Sequence, residues 1–81
     1  LRAGVAVVDL FTGMYTATAI LAALVRRGTT GEGAAIDISL FDCGLAMLAN
    51  QASNYLVSGE NPPRQGNTHP NLVPYQPFAC A

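Results

Sequence analysis

An α/β layer, ordered strand–helix–strand–helix and followed by an extended linker, is the fold class this sequence predicts. Three observations predict it. Val5-Ala6-Val7-Val8 is a short β-prone run, Ala34 to Ser39 alternates between apolar and polar residues, and each run is followed by apolar residues at three- and four-residue steps.

The first strand is expected over Val5–Val8, entering a loop at Asp9. From Leu10 to Arg27, Met14, Ala17, Leu21 and Leu24 recur at helical spacing, while Ala19, Ile20, Ala22, Ala23 and Val25 make nearly the whole circumference apolar or small. Such a helix is normally buried on most sides. Gly28 directly follows Arg26-Arg27 and is the expected left-handed stop, with the two cations suited to the last turn. Thr29 to Gly33 reads as a turn. The second strand then places Ala34, Ile36 and Ile38 on one face and Ala35, Asp37 and Ser39 on the other. Ser39, followed three residues later by Asp42, has the arrangement that starts a helix. Phe41, Leu45, Leu48, Ala49, Ala52 and Leu56 form one helical stripe, ending near Val57-Ser58-Gly59. Beyond Glu60, Pro62, Pro63, Pro70, Pro74 and Pro77 exclude regular helix. An extended linker with a last strand over Tyr75–Cys80 is expected there, so the chain divides into residues 1–59 and 60–81.

Composition limits the function. Of 81 residues, 51% are apolar and 11% charged, which is too apolar for disorder and suits the buried part of a larger protein. A single core of this length is marginal, and the chain opens and closes on apolar runs. We therefore expect a piece of a longer chain that does not fold alone. The net charge is −1, and Arg2, Arg26, Arg27 and Arg64 are scattered without a single Lys. No basic stripe results, which excludes nucleic acid as an expected partner. Cys43 and Cys80 lack metal-ligand spacing and read as small buried hydrophobes in a reducing cytoplasm. Leu10 to Val25 falls short of the ~20 apolar residues of a membrane span, and holds Thr12, Thr16, Thr18 and Gly13. No membrane, metal or bound cofactor is expected.

Asp9 is the leading candidate for chemistry. At a strand-to-helix junction it meets the free N–H groups of the first turn, whose positive end favours its negative charge. Open α/β folds place ligand-contacting groups at the carboxyl ends of strands. A helix cap with no further role accounts for the same residue. Gly28, Gly31 and Gly33 fall as G-x-x-G-x-G, which matches neither dinucleotide fingerprint nor Walker loop. His69 is a lone imidazole beside Pro70, so a hydrogen-bonded loop residue is expected and a metal ligand is not. Ser39 has no nucleophile-elbow context, and nothing marks Asp37 or Asp42 as catalytic.

Three segments together resemble the class III CoA-transferases, the family of formyl-CoA and carnitine CoA-transferases and of α-methylacyl-CoA racemases. They are Val8-Asp9-Leu10-Phe11-Thr12-Gly13-Met14 with its helix to Arg27, Thr30-Gly31-Glu32-Gly33-Ala34-Ala35-Ile36-Asp37-Ile38-Ser39-Leu40-Phe41-Asp42, and Arg64-Gln65-Gly66-Asn67-Thr68-His69-Pro70 with Pro74-Tyr75 and Phe78. Their order and spacing match the family pattern over nearly the whole chain. Ala34 stands where glutamine is usual, and Val8 where several members have glycine. The resemblance implies a Rossmann-like portion of the large domain and an interlocked homodimer. It implies that an acyl-CoA and a carboxylic acid are the partners, with coenzyme A carried as substrate. The aspartate matching Asp9 would attack the thioester, giving an aspartyl-acyl anhydride and then an aspartyl-CoA thioester. Leu40 matches a position near bound CoA. The racemase alternative uses the same aspartate as an acid/base opposite a histidine. Thr12-Gly13-Met14 leans toward transferase, since two or three glycines after the aspartate are commoner in racemases. A non-catalytic structural or membrane-associated helical segment is the alternative of another class.

Overall fold

A computed structural model describes residues 2–80. Three helices carry the regular structure: α1 (Val7–Thr30), α2 (Leu40–Ala46) and α3 (Asn50–Ser58). The chain divides after Ala49 into two compact units.

The expected fold class is corrected by this architecture, because the described residues contain no strand. A strand exists only as one half of a hydrogen-bonded ladder. Alternation and β-branching can prepare a segment for pairing but cannot supply the partner. Val7 and Val8 instead open α1, behind a bend in which the Val7 N–H donates to the Val5 carbonyl at 2.9 Å. The stretch 31–39 is irregular, ends extended at Ser39 (φ −103°, ψ 137°), and forms no ladder. Residues 75–80 likewise form no strand. The Rossmann-like strand–helix–strand–helix portion is therefore replaced by an all-helical arrangement.

In the first unit, α1 runs for 24 residues, longer at both ends than the apolar pattern indicated. Gly28 is an interior residue of α1 and not its stop. The Thr29 and Thr30 hydroxyls donate to the Arg26 carbonyl at 2.8 and 3.1 Å, carrying the helix past the glycine. Gly31 ends it in the left-handed region (φ 75°), its N–H closing on the Arg27 carbonyl at 2.8 Å. By length and composition alone α1 could cross a membrane, which removes the length argument against that reading.

The chain then leads through the irregular stretch to α2. The cap read from the sequence is present, with the Asp42 N–H donating to Ser39 Oγ at 3.0 Å. Val8 of α1 and Gly44 of α2 meet closely: a Cβ built on Gly44 would lie 3.5 Å from Val8 Cγ1. Replacing Ser39 with Ala in the full-length protein should cost about 1 kcal/mol by orphaning this N–H. A denaturant titration with an unchanged midpoint would show that the cap contributes nothing.

The single helix expected from Phe41 to about Gly59 is instead two. Leu48 and Ala49 N–H groups bond three residues back, to Leu45 at 3.1 Å and Ala46 at 3.2 Å, and Ala49 takes φ 47°. This tightened turn ends α2, and α3 starts afresh at Asn50. The helical stripe has the same spacing on either side of the turn, so periodicity alone reads through it. In the second unit α3 ends where expected, at Gly59 (φ 75°), whose N–H reaches the Tyr55 carbonyl at 2.7 Å. The remainder folds as an irregular loop with a cis Val73–Pro74 bond.

Little is buried. Cys43, 5% exposed, is the one buried residue among those described, while Cys80 is exposed, which corrects the expectation that both thiols are buried. The face of α1 carrying Leu10, Met14, Leu21 and Val25 stands open, with Met14 69% and Val25 73% exposed.

Candidate functional site

Asp9 is the third residue of α1 and the acidic residue of its first turn. It is therefore inside the helix and is not its cap: the N-cap is Ala6, which offers no side-chain acceptor. The helix begins three residues before the position the sequence pattern suggested. Here the N–H groups of the first turn have no intrahelical acceptor and the helix end carries partial positive charge. The Leu10 N–H, one residue later, already closes on the Ala6 carbonyl at 3.1 Å. The Asp9 side chain is exposed and enters no ion pair or side-chain hydrogen bond among the described residues. The ion pair in this unit, Arg26 to Glu32 at 3.6 Å, lies at the other end of α1. A carboxylate so placed can meet an electrophile without first leaving a partner.

Leu40 is the first residue of α2 and is 53% exposed. It stands one helical turn before Gly44, on the same face of α2. Gly44 in turn packs on Val8, the neighbour of Asp9. The two candidates therefore stand near the contact between α1 and α2.

A cavity of about 210 Å³ lies elsewhere in this unit, lined by Tyr15, Asp37, Ile38, Ser39, Asp42 and Cys43 among others. Of these, Ser39 serves as the α2 cap and Cys43 as the buried centre. A second cavity, also about 210 Å³, runs between α1 and the irregular stretch, with Leu24, Arg27 and Ile36 in its walls. No group of three or more His, Cys, Asp or Glu side chains gathers among the described residues.

The second unit holds a network that sequence reasoning did not find. Asn71 accepts from Asn50 Nδ2 at 2.8 Å and Asn54 Nδ2 at 3.0 Å, and donates to Asn54 Oδ1 at 2.9 Å. The recurrence of Asn50 and Asn54 four residues apart, hence on one helix face, was its signal. Beside it, His69 is a hydrogen-bonded loop residue, as the sequence suggested. Its Nδ1 accepts the N–H groups of Asn71 at 3.0 Å and Leu72 at 3.1 Å. Its own N–H donates to the Tyr75 carbonyl at 3.0 Å, and the two rings meet edge to face at 5.1 Å.

Comparison with known proteins gives this geometry a context. The family model described as CoA-transferase family III matches residues 1–81. A succinate–glutarate CoA-transferase of Agrobacterium fabrum is 54% identical over 76 residues, covering 94% of this chain and 19% of that protein. The human succinyl-CoA:glutarate CoA-transferase is 43% identical over 77 residues, 95% of this chain and 18% of its own length. A crystal structure of a CaiB/BaiF family protein from Brucella suis superposes with a TM-score of 0.79 at 55% identity, over 94% of this chain and 20% of that one. The chain thus spans about a fifth of the relatives it matches.

Proposed function

The chain belongs to CoA-transferase family III, and from that premise we propose that the full-length protein transfers coenzyme A from an acyl-CoA thioester to a carboxylate, with Asp9 as the covalent nucleophile. The observation that carries this reading is the Asp9 carboxylate itself, exposed in the first turn of α1 and held by no partner among the described residues.

One Asp9 oxygen attacks the thioester carbonyl, and the C–S bond breaks to give an aspartyl-acyl anhydride and CoA thiolate. The thiolate attacks the aspartyl carbonyl, forming aspartyl-CoA and releasing the first acid as its carboxylate. The incoming carboxylate attacks that thioester, forming a second anhydride and again freeing thiolate. Attack of the thiolate on the new acyl carbonyl yields the new acyl-CoA and regenerates Asp9. No proton or electron is left over, because every nucleophile and leaving group is an anion. Partial positive charge at the start of α1 suits a carboxylate that cycles between free anion, anhydride and thioester.

Leu40 is assigned to the surroundings of the bound CoA. The relatives named for succinate and glutarate make short dicarboxylates the first acids to try. We further propose a cytoplasmic, interlocked homodimer as the working form of the whole protein.

The test incubates the full-length protein with succinyl-CoA, traps with hydroxylamine or borohydride, and maps peptides by mass. Modification of Asp9, missing from Asp9→Ala, is the expected result. Deuterium appearing at the substrate α-carbon in heavy water, with no adduct, would replace the transferase with a racemase. Neither signal across a panel of acyl-CoAs would leave Asp9 a structural residue.

A further inference from the structure

The last turn of α1 carries a cation that no group in its own unit answers. Arg26 pairs with Glu32 at 3.6 Å, whereas the Arg27 guanidinium meets no acceptor among the described residues. It lines a cavity of about 210 Å³ with Ile20, Ala23 and Leu24 of α1 and Ile36 of the irregular stretch. The acids nearest in sequence to these walls are engaged elsewhere: Glu32 is drawn to Arg26, and Asp37 lines another cavity of this unit. No carboxylate lines this one. The carbonyls of Arg26 and Arg27 already accept from Thr29, Thr30 and Gly31. That lessens the partial negative charge this helix end would turn on an anion.

A guanidinium meets a carboxylate through two parallel N–H bonds, and apolar walls take up an alkyl chain. Arg27 is the one charged residue in these walls. A second negative charge on the guest would therefore lie against Ile20, Leu24 or Ile36 without a partner, at the cost of its hydration. At roughly 30 Å³ per water, the cavity has the volume of about seven waters, enough for a small aliphatic acid.

We propose that this cavity binds an aliphatic monocarboxylate, its carboxylate on Arg27 and its chain along Ile20, Leu24 and Ile36. Arg27 stands eighteen residues after Asp9 in α1, about 27 Å along the helix axis. A guest of this size on Arg27 does not reach Asp9, and its binding requires no CoA transfer.

Valerate and glutarate have carbon chains of equal length and differ by one terminal carboxylate, so together they test the proposal. In full-length protein labelled with ¹⁵N-arginine, the Arg27 Nε–H resonance is identified by its absence from Arg27→Gln. Valerate is expected to shift it saturably, with butyrate roughly fourfold weaker for the missing methylene. Glutarate should be weaker by about tenfold or more, because its second charge loses water. The calorimetric binding event of matching affinity should weaken roughly ten- to a hundredfold in Arg27→Gln, the range for a lost hydrogen bond between charged groups. Ala23→Leu keeps the cation, fills the cavity with a residue suited to a helix, and should abolish the valerate shift. That variant keeps the test open if Arg27→Gln fails to fold. An Arg27 resonance unmoved by valerate in the folded wild type would overturn the proposal and leave this cation to an acidic side chain elsewhere in the protein. Equal affinity for glutarate, or an undiminished valerate shift in folded Ala23→Leu, would also overturn it. None of these readings needs turnover, so they stand whether or not the transferase reading does.

Discussion

Asp9→Asn is expected to reduce CoA transfer on the order of 10⁴-fold or more, the scale seen when a covalent nucleophile is removed, while leaving α1 intact. Asparagine matches aspartate in shape, and Asp9 caps no N–H whose loss would unravel the helix, since the N-cap is Ala6. The amide retains an oxygen but not the negative charge that attacks the thioester. Asp9→Glu is the informative companion. It keeps the charge and moves it by about one methylene, a displacement that costs roughly 10²-fold when reacting atoms must be aligned. Steady-state kinetics with circular dichroism would check both. Activity in Asp9→Asn within tenfold of the wild type would remove Asp9 from the chemistry.

The second large effect concerns the isolated 81-residue chain, which should show helical circular dichroism but no cooperative thermal transition. Its accessible surface is 7082 Å², whereas a folded protein of 8.4 kDa exposes about 4,600 Å². Cooperativity needs a shared core, and among the described residues Cys43 alone is buried. Leu10, Met14, Leu21 and Val25 meet solvent, so concentration-dependent association is expected as well. A sharp melt, superimposable at several concentrations, would show that the units stabilise themselves.

The sequence disclosed features that depend on near neighbours. Ser39 and Asp42 stand three residues apart, and that spacing is sufficient to form the cap. Gly59 closes α3 for the same reason, because a left-handed residue at a helix end needs little beyond its own missing Cβ. The long run of apolar residues from Leu10 announced α1, but not its ends: the Thr29 and Thr30 back-bonds outweighed the break suggested by Gly28. Other errors lie where structure depends on distant groups. Ala34–Ser39 has the alternation of a strand, yet a ladder requires a second chain segment that periodicity cannot see. The same limit hid the Asn71 network, which joins residues seventeen and twenty-one positions apart. For the candidate site, Asp9 was legible as a helix-start carboxylate and Leu40 as the residue after a cap. In the second unit, the two backbone N–H groups gathered on His69 Nδ1 were not legible, because they depend on how the loop folds back on the ring.

The threonines of α1 have a consequence for whatever touches that helix. Thr12, Thr16 and Thr18 each donate to the carbonyl four residues before, at 2.7, 2.7 and 2.9 Å. Each hydroxyl is thereby quenched from within, so stripping water from it leaves no unmet donor. The helix is thus greasier than its composition suggests, adhesive rather than discriminating. A surface laid against it meets few polar groups by which to choose its register. Selectivity must come from relief, from the notches at Gly13 and Ala17 set between the knobs of Leu10, Met14 and Leu21. Filling a notch should therefore disturb partner geometry more than exchanging one knob for another of equal volume.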